Sequence, residues 1–246
     1  MLLRDKVALI TGASTGIGAA AARLFAAEGA SVVLAARSED KIKSLAEEIG
    51  GVAVVADVAV DADCERAVAV AVQRFGRLDV AFNNAGIGPD GVVLTDSTAW
   101  DSTLAVNLTG VAQCMRHEIR AMTGGGAIVN NASTAAFFGT AFSSAYSAAK
   151  HGVIGLTKTA AAEYGRSGIR VNAVNPGVID TPQTGPWLSI PGERERAATW
   201  NALKRLAEPS EVAEAALWLL SDRASFVTGA VLAVDGGYTA IAPGVG

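Results

Sequence analysis

Short apolar runs recur along the chain, and each is followed by a longer stretch with helical spacing of apolar residues. The runs are Lys6–Ile10 (K-V-A-L-I), Ser31–Ala36 (S-V-V-L-A-A), Val52–Ala56 (V-A-V-V-A), Leu78–Asn83 (L-D-V-A-F-N), Ala127–Asn131 (A-I-V-N-N), Arg170–Asn175 and Val231–Asp235. Runs dominated by Val, Ile, Leu and Ala, with little polar alternation, predict strands buried on both faces. Strands alternating with helices imply right-handed crossovers and a parallel sheet. Two helical stretches are long, Ala105–Met122 and Ala145–Arg166. One segment breaks the rhythm. Asp180–Pro209 contains Pro182, Pro186, Pro191 and Pro209, and its stretch E-R-E-R-A-A-T-W-N-A-L predicts a short helix over Glu193–Leu203. A long irregular insertion between strands is usually functional or disordered.

Between the first run and the helical stretch Ala19–Glu28 lies T-G-A-S-T-G-I-G, Thr11 to Gly18. Strand, glycine turn and helix in that order aims the amides of a helix N-terminus at a pyrophosphate. Gly12 would permit the tight turn, Gly16 the approach of a phosphate and Gly18 close helix-to-strand packing, with Ser14, Thr15 and Ile17 completing the loop. The bland alternative is a loop that merely needs φ > 0. The second run ends Ala36-Arg37, some 20 residues beyond the loop. In dinucleotide-binding units an acidic residue there takes the ribose hydroxyls, whereas an Arg accommodates a 2′-phosphate. Arg37 therefore favours NADP(H) over NAD(H), unless it is only a solvated residue opening a helix. Asp57, with Val58 beside it, either accepts from the adenine amino group or starts the next helix as an ordinary loop residue. The expected fold is α/β: a single Rossmann-type, doubly wound domain over residues 1–246 with helices on both faces. Its seven-stranded parallel sheet should run in the order 3-2-1-4-5-6-7, with the site at the carboxyl ends of the strands.

Composition narrows the partners. Half of the 246 residues are apolar, the net charge is −4 and no Lys/Arg cluster occurs, which argues against nucleic acid and anionic membrane. No apolar run reaches a membrane span of roughly 18 residues. The start gives way to Arg4, Asp5 and Lys6 without a signal-peptide pattern, so a cytoplasmic protein is expected. Cys64 and Cys114 are expected to be buried thiols. With His117 and His151 the only histidines, no metal site is expected.

The candidate chemistry sits in A-Y-S-A-A-K. Tyr146 and Lys150 are four residues apart, which puts them on one helix face, and Ser133 precedes Tyr146 by thirteen residues. Bringing a Tyr pKa from about 10 to about 7 requires roughly 4 kcal/mol. A cation some 5 Å away, at an effective dielectric near 20, supplies roughly 3 kcal/mol. The pair thus reads as an acid/base, with Lys150 expected to lower the Tyr146 pKa.

Taken together these residues resemble the classical branch of the short-chain dehydrogenase/reductase family over roughly residues 4–240. The landmarks stand in order: T-G-A-S-T-G-I-G, A-D-V at Ala56, N-N-A-G at Asn83–Gly86, the Asn of A-V-N-L at Asn107, Ser133, Y-S-A-A-K at Tyr146, N-P-G at Asn175–Gly177 and V-D-G-G at Val234–Gly237. The family's enoyl reductases have a wider Tyr-to-Lys spacing than this chain. One departure concerns the cofactor: NADP-preferring members often carry a basic residue in the glycine loop, where this chain has Thr15.

The resemblance implies reversible hydride transfer between NADP(H) and a carbonyl or secondary alcohol. Tyr146 would exchange the proton, Ser133 would hold the substrate oxygen, and Lys150 would also bond the nicotinamide ribose. Asn107 would belong to a helix holding a relay water. Asn83, Ala85 and Gly86 would lie along the adenosine ribose. Pro176 and Gly177 would shape the nicotinamide pocket, with Val178 and Thr181 near the carboxamide and pyrophosphate. Asp180–Pro209 would be a substrate lid with Trp187, Leu188 and Trp200 on its apolar face, unless those residues are subunit contacts or local packing. The segment Thr134–Phe142, with Phe137, Phe138 and Phe142, would line a pocket for an apolar or aromatic ketone. Members usually form homotetramers, and the tail after Tyr238 would reach a neighbouring subunit. The alternatives are an NAD-linked dehydrogenase of a sugar, steroid or secondary alcohol, and a non-catalytic dinucleotide-binding sensor.

Overall fold

The structure, a computed structural model, describes residues 1–88, 94 and 98–240. Most of the tail after Tyr238 lies outside the described residues.

The apolar runs form strands within a few residues of their expected bounds. They are β1 (Val7–Thr11), β2 (Ser31–Ala36), β3 (Val52–Val55), β4 (Val80–Asn83), β5 (Gly126–Asn131), β6 (Ile169–Pro176) and β7 (Val231–Val234). All pairings are parallel, and the seven-stranded sheet has the order β3-β2-β1-β4-β5-β6-β7. The chain winds outward in one direction from β1 and in the other from β4. A crevice therefore opens between their carboxyl ends, where Thr11 pairs with Asn83.

Alternation along β1 explains the two cores. Ala8 and Ile10 face α1 (Gly16–Ala27), α2 (Glu39–Ile49) and α9 (Pro209–Leu220). Val7 and Leu9 face α3 (Asp61–Phe75), α5 (Gly110–Ala121) and α6 (Ser144–Tyr164). A strand covered on both faces has few positions for a polar side chain, and most of those here fall near the carboxyl ends, which is why the runs read as nearly continuous. Each fully buried Leu, Ile or Phe contributes about 1.5–3 kcal/mol of transfer free energy.

Two expected elements come out differently. The stretch Ala105–Met122 is not one regular helix: α4 (Trp100–Leu104) widens into a π-turn over Ala105–Thr109 before α5 begins. Such turns often sit at functional sites, and Asn107 lies in this one. The helix expected over Glu193–Leu203 is shorter, α8 (Glu193–Ala198), and is preceded by α7 (Gly185–Leu188), with Pro186 in its first turn. The insertion is anchored at its base, where Asp180 N donates to Ala207 O and Ala207 N to Val178 O. Pro209 opens α9, and a capping box between Glu208 and Glu211 fixes its start. No described helix is long and apolar enough to cross a membrane.

Candidate active site

A cleft of about 540 Å³ opens over the carboxyl ends of the strands. Its floor is the glycine loop. Gly12 has φ +65°, and a Cβ there would come within 2.7 Å of Ala85 Cα; a Cβ on Gly18 would lie 2.3 Å from Gly12 O. The loop and the Asn84–Gly86 turn are thus in backbone contact, and no larger residue fits.

Side chains staple this contact. Thr11 Oγ1 accepts from the amides of Asn84 and Ala85, each at 3.1 Å. Asn84 Nδ2 donates to the Thr11 and Gly12 carbonyls at 3.2 Å, and its Oδ1 accepts from Asn131 Nδ2 at 2.9 Å. Thr15, the residue before α1, makes no side-chain cap bond, so the first amides of that helix are left to an anion. Glycine cradle and uncapped amides together fit a dinucleotide pyrophosphate.

Beyond the loop the cleft reaches the end of β2. Arg37 is largely exposed, and its Nη1 lies 4.0 Å from Asp57 Oδ2. Asp57 is held in place, accepting from Ala59 N at 3.0 Å while its own amide donates to Asp63 at 2.9 Å. Ser38 and Lys41, which the sequence reading passed over, line the cleft beside Arg37.

At the other end stand the acid/base candidates. Tyr146 and Lys150 project from the first turns of α6, and Ser133 precedes a 3₁₀ turn, its Oγ accepting from Ala135 N at 3.2 Å. Lys150 is buried. Its Nζ donates to Asn131 O at 2.8 Å and sits 5.6 Å from the centre of the Tyr146 ring. Burial acts on both groups of the pair. Burial raises the phenol above its ordinary value, the Ser133 hydroxyl opposes that rise, and burial brings Lys150 itself down to about 8.

Asn107 is fully buried. Its Oδ1 accepts from Ile87 N and its Nδ2 donates to Ile87 O, both at 2.9 Å, clamping the loop segment that follows Gly86. A Cβ on Gly86 would lie 3.0 Å from Asn107 Oδ1 and 3.8 Å from Lys150 Nζ, so the two head groups flank that glycine.

The cleft brings together Gly12, Ser14, Thr15, Gly16, Ile17, Arg37, Asp57, Val58, Ala85, Gly86, Ser133, Tyr146, Lys150, Pro176, Gly177, Val178 and Thr181. Gly18 and Asn107 stand just behind its surface. The buried side chain of Asn83 turns away from the cleft, donating to Glu118 Oε2 at 2.9 Å and Asn130 Oδ1 at 3.1 Å, which leaves only its backbone on the cofactor side. Successive strand residues point to opposite sides, so of Asn83-Asn84 and Asn130-Asn131 the second of each pair enters the cleft. That doubled Asn at two strand ends was a readable signal for Asn84 and Asn131. Of the three Phe expected in the pocket, Phe138 lines it, while Phe137 and Phe142 are exposed outside. The described residues contain no metal-binding group, and Cys64 and Cys114 are buried free thiols with their sulfurs 3.5 Å apart.

A family model described as "Enoyl-(Acyl carrier protein) reductase" matches residues 12–239. The chain is 48% identical to the A-factor type γ-butyrolactone 1′-reductase (1S-forming) of Streptomyces virginiae, with 97% of each chain covered. It is 47% identical to the cis-4-hydroxycyclohexanecarboxylate dehydrogenase of Sinomonas cyclohexanicum, over 96% of this chain and 98% of that one. The crystal structure of levodione reductase superposes with a TM-score of 0.90 at 37% identity, covering 97% of this chain and all of that one. This protein belongs to the short-chain dehydrogenase/reductase family, as an NAD(P)-dependent oxidoreductase acting on alcohols.

Proposed function

We propose that the enzyme is an NADP(H)-dependent carbonyl reductase and secondary-alcohol dehydrogenase. The observation that carries this reading is the placement of Ser133, Tyr146 and Lys150 on one wall of the cleft that holds the glycine cradle. When bound, the nicotinamide supplies or accepts the hydride. The chain's own part is the proton and the charge. Tyr146, with its pKa raised, is protonated at neutral pH and gives its proton to a carbonyl oxygen as that oxygen gains charge. Ser133 donates a hydrogen bond to the same oxygen and stabilises the charge developing there. Lys150 supplies a buried positive charge beside them, and Asn107 keeps the Gly86–Ile87 backbone in place.

Arg37 and Lys41 at the adenosine end, with no carboxylate at the tip of β2, support NADP(H) through bidentate and point-charge contacts to a 2′-phosphate. One observation favours NAD(H) as the second reading: Asp57 stands 4.0 Å from Arg37 and offsets part of its charge. A sensor without chemistry would have no use for the Ser133–Tyr146–Lys150 arrangement. The two relatives named above are called after a butyrolactone and a hydroxycyclohexanecarboxylate, which supports a ring alcohol or ketone as substrate. The exposed Trp218 and Phe226, on and after α9, support association into a homotetramer; a monomer in sedimentation at micromolar concentration would refute it. Purified protein mixed with NADPH or NADH and cyclohexanone tests the main reading. Loss of reduced-cofactor absorbance, faster with NADPH, is expected, and no loss with either cofactor would sink it.

A further inference from the structure

Four aromatic side chains from three distant segments meet at the substrate end of the cleft. Trp187 and Trp200 of the insertion stack with ring centres 5.6 Å apart and planes at 27°. Trp200 stacks in turn on Tyr238 at 6.2 Å and 23°, and Tyr238 meets the edge of Phe138 at 5.3 Å and 86°. All four line the cleft and are half-buried, so each keeps part of its surface open to a ligand.

The wall is locked from behind. Trp187 Nε1 donates to Glu193 Oε2 at 2.8 Å, and Arg196 Nη1 donates to Glu193 Oε1 at 3.0 Å. The Arg196 guanidinium lies 5.8 Å from the centre of the Trp200 ring, closing a loop of four residues. Glu193 therefore holds the indole of Trp187 in place, its plane 27° from that of Trp200. The charged residues among the described cleft lining are Arg37, Lys41, Asp57 and Lys150. The first three stand at the adenosine end and the last beside Tyr146, so no charged side chain of the described lining stands at the aromatic end, and the Arg196 guanidinium behind it is taken up by Glu193.

We infer that this wall selects an uncharged ring ketone laid flat against Trp187 and Trp200, and that Glu193 is the positioning residue behind that selectivity. The inference rests on the carbonyl-reductase reading and deepens it. A saturated or aromatic ring presents a flat face of many carbon atoms to the stacked indoles, and each contact adds dispersion. An open-chain ketone of equal carbon count must freeze its rotors to reach the same contact. A ring bearing a carboxylate would lose its hydration without gaining a partner.

The test measures kcat/KM with NADPH for cyclohexanone, 2-hexanone and 4-oxocyclohexanecarboxylate. The unaltered enzyme should prefer cyclohexanone to each of the others by about tenfold or more. Glu193→Ala should shrink the ring-over-chain preference at least about threefold through a raised KM for cyclohexanone, with NADPH affinity unchanged. Glu193→Gln, whose amide oxygen still accepts from the indole, should restore it. In a Trp187→Phe background, which lacks the donor, Glu193→Ala should have no further effect. Equal use of the ring and open-chain ketones, better use of the carboxylate, or an unchanged preference in Glu193→Ala overturns the inference while leaving the carbonyl-reductase reading intact. Failure to reduce any of the three, with NADPH still bound, removes that reading instead and the inference with it. Should Glu193→Ala lose NADPH binding, Trp187→Phe alone takes its place with the same expected loss of preference.

Discussion

Lys150 Nζ donates to the carbonyl oxygen of Asn131 at 2.8 Å, tying α6 to the carboxyl end of β5. That bond holds the cation 5.6 Å from the centre of the Tyr146 ring. It also makes the pH behaviour predictable. Burial brings Lys150 down to about 8 and raises Tyr146. The phenol is therefore loaded for ketone reduction throughout neutral pH, while the supporting charge is lost on the alkaline side. Reduction should hold level to about pH 8 and decline above it. Lys150→Met should lower kcat/KM at pH 7 and remove the decline. A wild-type plateau extending to pH 10 would contradict this account.

Tyr146→Phe keeps the ring under Lys150 and removes the proton. Acid/base groups contribute about 10²–10⁴-fold, so carbonyl reduction should fall at least a hundredfold. NADPH affinity, read by fluorescence titration, should change little. Activity above about one hundredth of the unaltered rate would show that another group delivers the proton.

Asn107 acts through the backbone it clamps. Asn107→Ala leaves the amide and carbonyl of Ile87 without their partners, and two such losses should cost about 2–4 kcal/mol of stability. Urea denaturation measures this directly. A cost under about 0.5 kcal/mol would mean that the π-turn relaxes to satisfy Ile87 by itself.

The fold was legible because both faces of its strands are covered: a continuous apolar run leaves few alternatives. The glycine loop was legible for a related reason, since backbone contact between Gly12 and Ala85 admits no side chain. What escaped was geometry that leaves no periodic trace. A π-turn adds one residue to a helical turn, and Ala105–Thr109 looks regular in one dimension. Strand alternation sends the Asn83 side chain inward to Glu118, a direction the N-N-A-G landmark does not reveal. Lys41 reads as a solvated helix residue until the cleft places it beside Arg37. The stacking of Trp187 on Trp200, and of Trp200 on Tyr238, depends on how the insertion folds back, which no local pattern records.

Arg37 and Lys41 give a charge-specific prediction. A charge-assisted bond to a phosphate is worth about 1.5–3 kcal/mol, so Arg37→Ala should weaken NADPH binding by at least tenfold. Lys41→Ala, which removes a flexible point charge, should weaken it about threefold. Both should leave NADH binding within about twofold, and the NADPH affinity of the unaltered enzyme should fall with added salt. Equal losses for the two cofactors would place Arg37 and Lys41 away from the 2′-phosphate.

Glu118 carries a pH dependence unrelated to catalysis. It is fully buried on α5, with Oε2 accepting from Asn83 and Oε1 lacking a protein partner among the described residues. The groups around it, Thr11, Cys64 and Cys114, offer no cation. Burial therefore pushes its carboxyl from an ordinary value of 4.5 up to about 7. A folded-state value above the unfolded one means that the folded form binds more protons between those limits. The stabilising contribution is complete below about pH 4.5 and is lost as pH rises through 7. The full span is worth about 3 kcal/mol at most. Glu118→Gln keeps an acceptor for Asn83 and cannot titrate. Between pH 5 and pH 8 the unaltered protein should lose about 2 kcal/mol more stability than this variant, read from urea midpoints with equal m-values. Parallel pH profiles for the two proteins would show that Glu118 is already ionised, or solvated, in the fold.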